Sequence, residues 1–257
     1  MTMSILDLFR LDGKVAVVTG GGTGIGRGIA LGLAEAGADV VVAGRRAAPV
    51  EAVRDEIRSR GRRSIAVPTD VTMESSLQSL ADTAVREFGA VDIWVSNAGG
   101  LQGNPLASLK ETEREHWDAT TTLNFTAVWM AAKVAEAVLP DGGVLINLSS
   151  IGGAAKGAPR NGVYSACKAA VDHLTRTLAL EFAPRRIRVN AIAPGPVATD
   201  DYYRASGFTD AQFAKMAGKQ PLGRLGEPED FGAAAVYLAS PASAWLTGQI
   251  LAVSGMP

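Results

Sequence analysis

Short, nearly unbroken apolar runs alternate with amphipathic stretches along the whole chain. Lys14–Thr19 (KVAVVT), Asp39–Ala43 (DVVVA), Ser64–Val67, Val91–Val95 (VDIWV), Gly143–Leu148 (GVLINL), Ile187–Ile192 and Gln249–Val253 predict β-strands. Between them, Gly26–Ala36, Ala48–Arg60, Met73–Phe88, Leu109–Leu139, Val163–Phe182 and Glu229–Ala239 predict helices. Ile29 and Leu33 fall four apart on the first of these, and Gly61, Gly89, Pro140 and Pro184 supply stop signals. Strands that are apolar at successive positions are covered on both faces. Strand–helix alternation of this kind predicts an α/β fold: a doubly wound parallel sheet with helices on both faces. There is no linker, repeat or low-complexity segment, so residues 1–257 are expected to form a single domain. Residues 194–228 have no clear place in the sheet. They are expected to form a substrate-side loop, with a helix around Thr209–Ala217.

Composition narrows the function classes. Hydrophobic residues make up 47% and charged residues 20% of 257, which fits an enzyme-sized globular chain. A net charge of −1 gives no electrostatic reason to expect nucleic acid or an anionic membrane as partner. The single cysteine, Cys167, excludes an internal disulfide and fits a reducing compartment, so a cytoplasmic protein is expected. With His116 and His173 it makes too small a set for a typical zinc site. No apolar run reaches membrane-spanning length.

The residues with chemical content fall where predicted strands end. Thr19–Gly26 runs Thr19-Gly20-Gly21-Gly22-Thr23-Gly24-Ile25-Gly26 between the first strand and first helix. Glycines there let backbone N–H groups approach a dinucleotide pyrophosphate, and the helix N-terminus favours its negative charge. At the end of the second strand, an acid would bind the adenosine ribose hydroxyls. Gly44 holds that place, followed by Arg45 and Arg46. Two guanidiniums without a carboxylate favour NADP(H), with NAD(H) still open, since the arginines also suit a solvated strand end. Asp70 and Val71 after the third strand are candidates for the adenine ring, and Asn97-Ala98-Gly99 after the fourth for a cofactor ribose. Ser150, after the fifth strand, has a hydroxyl that can hydrogen-bond a substrate carbonyl oxygen. Asn124, within the long helical region, reads on sequence alone as a satisfied buried amide.

Tyr164 and Lys168 are four apart, which puts both on one helix face. An ammonium about 4 Å from a phenol stabilises phenolate by roughly 4 kcal/mol at an effective dielectric of ~20. That brings a phenol with a reference pKa of ~10 toward neutrality, where general acid–base catalysis works well.

In order along the chain, T-G-x-x-x-G-x-G at Thr19–Gly26, Asn97-Ala98-Gly99, Asn124, Ser150, Tyr164-x-x-x-Lys168 and Pro194-Gly195-Pro196-Val197-Ala198-Thr199 resemble the short-chain dehydrogenase/reductase family. The resemblance implies one Rossmann-type domain with a seven-stranded sheet. It also implies a catalytic tetrad at Asn124, Ser150, Tyr164 and Lys168. Cofactor contacts are implied at Gly20, Gly22, Thr23, Gly24, Ile25, Gly26, Pro194, Gly195, Val197 and Thr199, with Lys168 also binding the nicotinamide ribose. The chain departs from the family pattern at Ser96, where a second Asn is usual, and at Thr23, where NADP-preferring members often carry Arg or Lys. Ser150 precedes Tyr164 by fourteen positions rather than thirteen, which implies one inserted loop residue and leaves Ser149 as the other candidate serine. Val253-Ser254-Gly255 replaces a usual Asp-Gly-Gly, a change expected to bear on a C-terminal oligomer contact.

The implied activity is reversible hydride transfer between a ketone and a secondary alcohol, with Tyr164 as acid and base. The partner is a small-molecule carbonyl or alcohol. Ile5–Gly13 is similar to members acting on sugar acids, and the core is similar to 3-oxoacyl carrier reductases. Asp200, Asp201, Tyr202 and Tyr203 would line the substrate side, and Arg160 and Asn161 are placed to meet a substrate carboxylate. Family members commonly form homodimers or homotetramers through the helices at Leu109–Leu139 and Val163–Phe182. A non-catalytic NADP-binding regulator that keeps the fold is the alternative, and intact Asn124, Ser150, Tyr164 and Lys168 argue against it.

Overall fold

The computed structural model describes residues 4–101, 107–154, 160–199 and 206–255. The strands are β1 (Val15–Thr19), β2 (Asp39–Gly44), β3 (Ser64–Pro68), β4 (Ile93–Ser96), β5 (Val144–Leu148), β6 (Arg188–Pro194) and β7 (Ile250–Val253). The helices are α1 (Gly24–Glu35), α2 (Ala47–Ser59), α3 (Glu74–Phe88), α4 (Arg114–Thr121), α5 (Ala127–Val138), α6 (Ile151–Ala154), α7 (Gly162–Glu181), α8 (Asp210–Ala217) and α9 (Pro228–Ala239). All seven strands pair in parallel in the order β3-β2-β1-β4-β5-β6-β7. The chain winds outward from β1 to β3 and then returns to the other side of β1. The carboxyl ends of β1 and β4 therefore border the switch point where such sheets bind ligands.

The two faces follow from side-chain alternation along each strand. Ala16, Val18, Val40, Val42, Ile93 and Ile146 point to one side, where Ile29, Leu33, Val53, Ile57 and Phe231 of α1, α2 and α9 cover them. Val17, Val41, Trp94, Leu145 and Val189 point to the other, against Leu77 and Leu80 of α3, Met130 of α5 and Leu178 of α7. Val171 and Leu178 of α7 are buried within the chain's own core.

Several boundaries differ from the sequence expectation. α1 starts two residues early, at Gly24, whose φ of +50° lets the phosphate loop turn directly into the helix. β6 runs on to Pro194 because β7 pairs with it through Pro194↔Val253. The long helical region is a 3-10 turn at Leu109–Glu111, then α4, a π-helical turn at Thr122–Thr126, and α5. The 3-10 helix at Ile5–Phe9 and the short α6 carried no sequence signal read above. No helix among the described residues is long and apolar enough to cross a membrane.

Candidate active site

The carboxyl ends of β1 and β4 are joined by Thr19. Its hydroxyl donates to the Val95 carbonyl at 3.2 Å and accepts the backbone N–H groups of Asn97 at 3.0 Å and Ala98 at 3.1 Å. The Asn97 amide then donates to the carbonyls of Thr19 at 2.8 Å and Gly20 at 3.2 Å. The Asn97 amide nitrogen thus holds the start of the glycine loop. Ala98 and Gly99 are left to border the open end of the strands. Sequence reading missed Thr19 as the hub, although a polar residue closing an otherwise apolar strand was the available signal.

The loop is tightly packed at its glycines. Gly20 has a φ of +64°, and a Cβ there would lie 2.8 Å from Asn97 Nδ2. A Cβ on Gly26 would overlap the Gly20 carbonyl, so the first turn of α1 presses directly onto the loop. The Thr23 side chain makes no capping bond to that turn, which suits an anion at the helix N-terminus. Gly22 and Ile25 are half-buried beside it. Thr199 approaches from the far side: a Cβ on Gly24 would meet its Cγ2 at 3.1 Å. Thr199 belongs to the stretch after β6, in which Val197 is buried and bridges to Gly226. Gly195 donates to the Val253 carbonyl at 2.9 Å, and a Cβ on Gly195 would overlap Ser254. The departure at Val253-Ser254-Gly255 therefore packs against Pro194 and Gly195 at this site.

At the other end of the groove, Arg45 and Arg46 are exposed after Gly44. Asp70 accepts the Thr72 N–H at 2.9 Å and its hydroxyl at 2.7 Å. Those bonds, followed by the Arg45 charge, hold its carboxyl below the usual range. Val71 beside it is buried.

Asn124, Ser150, Tyr164 and Lys168 lie around the ends of β4 and β5. Asn124 is fully buried, and its amide donates to the carbonyls of Gly100 at 2.9 Å and Thr120 at 3.0 Å while accepting the Gly100 N–H at 2.9 Å. By taking the Thr120 carbonyl, four residues back, it competes with the helical backbone, in keeping with the π turn at this point. A Cβ on Gly99 would sit 3.0 Å from Asn124 Oδ1 and 3.3 Å from Lys168 Nζ, so this glycine lets both side chains approach.

Lys168 is 3% exposed and donates to the Leu148 carbonyl at 2.8 Å. Its Nζ lies 5.5 Å from the centre of the Tyr164 ring. Burial pulls its pKa from 10.5 down to about 8, against the opposing fields of Cys167 and Asp172. The two candidate serines differ in setting. Ser149 is buried and donates to the Lys168 carbonyl at 3.2 Å. Ser150 is half-buried, and its oxygen accepts the Gly152 N–H at 3.2 Å, which leaves the hydroxyl proton free to be given elsewhere.

Beside Tyr164 a cavity of about 10 Å³ is lined by Leu101, Ala107, Thr112, His116, Thr120, Arg160, Asn161, Gly162 and Val163. Thr120 Oγ1 and His116 Nδ1 are buried there without a hydrogen-bond partner among the described residues. His116, Thr112 and Thr120 were not foreseen, because nothing in a single helical stretch marks which polar residues face a cavity. Asp200, Asp201, Tyr202 and Tyr203 lie outside the described residues, as does part of the stretch with the inferred extra residue before Tyr164.

A family model described as enoyl-(acyl carrier protein) reductase matches residues 20–255. The chain is 44% identical to an uncharacterized oxidoreductase of Mycobacterium tuberculosis (strain CDC 1551 / Oshkosh), over 98% of this chain and 94% of that one. It is 39% identical to a versicolorin reductase of Emericella nidulans, over 98% of both chains. Among solved structures, a 7alpha-hydroxysteroid dehydrogenase complexed with NADH and 7-oxo glycochenodeoxycholic acid superposes with a TM-score of 0.90, at 37% identity over 98% of this chain and 97% of that one.

Proposed function

The chain is an oxidoreductase of the short-chain dehydrogenase/reductase family, and on that premise we propose that it interconverts a ketone and a secondary alcohol, with Tyr164 as the general acid and base. The observation that carries this reading is the buried Lys168 ammonium 5.5 Å from the Tyr164 ring, at the carboxyl edge of the sheet. When bound, the nicotinamide supplies the hydride in one direction and accepts it in the other. Tyr164 gives its phenolic proton to the oxygen of the forming alcohol, or takes it back in oxidation. Ser150 donates its hydroxyl to the same oxygen and stabilises the developing charge. Ser149 is the weaker candidate, because its hydroxyl already serves the Lys168 carbonyl. Lys168 favours phenolate on Tyr164 by its charge and binds the cofactor ribose. Asn124 holds the loop after β4 through Gly100, beside the Lys168 ammonium, and is read as the anchor of a proton-relaying water.

We read the loop Gly20–Gly26, with Asp70, Val71, Ala98, Gly99, Pro194, Gly195, Val197 and Thr199, as the cofactor groove. Asn97 positions that groove from behind. Arg45 and Arg46 beside Gly44 support NADP(H) over NAD(H), while the related structure named above was solved with NADH. The substrate is a small-molecule ketone with further polar groups, a reading supported by Thr112, His116 and Thr120 beside Tyr164. The relatives' names point to versicolorin and hydroxysteroid substrates, whereas the sequence resemblance pointed to sugar acids and 3-oxoacyl compounds. Exposed Trp117, Trp129 and Leu180 on α4, α5 and α7 support pairing of these helices in a homodimer or homotetramer, and a cytoplasmic setting suits the single thiol.

The test is loss of nicotinamide absorbance with 1-tetralone, 3-oxo and 7-oxo steroids, 3-oxoacyl thioesters and ketogluconates, each with NADPH and NADH. Turnover of one class with NADPH is expected. Tight NADPH binding with no turnover in any class would sink the reading.

A further inference from the structure

Asp172 is a buried ionisable side chain with no part in the machinery above. It lies one helical turn beyond Lys168 on α7 and is 3% exposed. Neither carboxyl oxygen makes a well-formed hydrogen bond among the described residues. The hydroxyl of Ser149, next to Ser150, lies against it. The same hydroxyl reaches the Lys168 carbonyl at 3.2 Å, so its single proton is shared between the carbonyl and the carboxylate. The carboxyl is therefore tied to both candidate catalytic elements, through Ser149 to the end of β5 and along α7 to Lys168.

Lys168 in turn needs an anion. Its ammonium is buried, and its partner at 2.8 Å, the Leu148 carbonyl, is a dipole without charge. Burying an unpaired ammonium is expensive. The groups that bear on this pocket are few. Cys167 precedes Lys168, and burial pushes its thiol up, so it remains neutral near pH 7. Arg176, one turn beyond Asp172, is cationic and exposed. From β5, the neutral amide of Asn147 reaches α7 at Thr175. Asp172 is left as the carboxylate whose field reaches the ammonium.

Taking Tyr164 and Lys168 as the proton-transfer pair, as proposed above, we propose that Asp172 is a positioning residue: its carboxylate is the counter-charge that keeps Lys168 cationic inside the fold, and it thereby sets the pH at which Tyr164 exchanges its proton. Burial pushes the Asp172 carboxyl up, while Ser149, Arg176 and Lys168 draw it back. The carboxyl and the ammonium therefore support each other's charge. Without the anion Lys168 loses its proton at lower pH, and Tyr164 then holds its own more tightly.

The test is the pH profile of kcat/KM for oxidation of 1-tetralol with NADP+, or of the fastest alcohol in the panel, in Asp172→Asn. Oxidation needs phenolate, so the acid limb is expected to move to higher pH by about one unit. Reduction of the matching ketone should persist to correspondingly higher pH. Asp172→Glu should return the limb toward its original position. A merely structural role would lower turnover at every pH and leave the midpoint where it was. Ser149→Ala removes support from the carboxylate without touching Asp172, and should move the limb in the same direction by less. It carries the test if Asp172→Asn does not fold. An unmoved midpoint in the folded variants overturns the inference. Near-normal turnover in Tyr164→Phe would instead overturn the assignment of the pair, so the two failures are distinguishable.

Discussion

The Lys168 ammonium is anchored by the carbonyl of Leu148, 2.8 Å away at the last residue of β5. This bond ties α7 to the strand that leads into Ser149 and Ser150. It fixes the charge by a backbone atom, which no side-chain substitution on β5 removes. It also holds a cation where the protein excludes water.

That burial has a cost visible in stability. The Lys168 pKa falls from 10.5 to about 8, so between those values the unfolded chain binds the proton and the native one does not. Stability contributed at this site therefore rises as pH goes from 8 to 10.5 and is lowest below 8. The gap corresponds to roughly 3 kcal/mol, from which loss of one hydrogen bond subtracts about 1. Lys168→Met lifts that burden but leaves the buried Asp172 carboxyl without its counter-charge, so its stability relative to the native chain, read by urea unfolding, is expected to fall as pH rises from 8 to 10.5, while turnover and cofactor affinity are lost. A destabilised variant whose deficit does not change with pH would contradict this account.

Tyr164→Phe removes the proton and leaves the packing. Turnover should drop by about 10²–10⁴ with NADPH affinity, read by fluorescence titration, nearly unchanged. Retained turnover means the proton comes from elsewhere.

Thr19→Val keeps the shape and deletes the acceptor shared by the Asn97 and Ala98 N–H groups. The expected cost is about 1–3 kcal/mol in unfolding free energy, together with weaker NADPH binding. Unchanged affinity would show that the cofactor groove does not depend on this hub.

α1 and α9 cross at glycines. A Cβ on Gly28 would run into the Pro228 carbonyl, and one on Gly32 would come within 2.8 Å of the Gly232 Cα. Gly28→Ala should cost about 3 kcal/mol or more. Gly162→Ala, with open space around it at the start of α7, should be neutral or gain up to about 1 kcal/mol. Equal effects at the two positions would refute the close crossing.

Replacing Arg45 and Arg46 together by Ala should raise KM for NADPH by roughly 10–100-fold and leave that for NADH within about twofold. Parallel losses for both cofactors would mean that the arginines do not read the 2′-phosphate.

The sheet was legible because its strands are short, apolar and separated by clear helical stretches, so period and order alone imply parallel pairing. Asn124 was read on sequence alone as a satisfied amide, and its amide is indeed satisfied. Its place in a π turn was not legible, since the letters do not show that its amide takes the Thr120 carbonyl. Ser149 and Ser150 are indistinguishable as letters; the direction each hydroxyl takes at the end of β5 separates them.

By itself the sequence determined the order of elements, the glycine loop after β1 and the Tyr164–Lys168 spacing, because these depend on local periodicity and on residues near each other in the chain. Tertiary structure alone decided that the Asn97 amide holds the loop, that Ser254 packs on Gly195, and that Asp172 and Lys168 are both buried. Each of these depends on which side chains a folded sheet brings together and from which it excludes water. Burial then sets the protonation energies, and no spacing along the chain encodes burial.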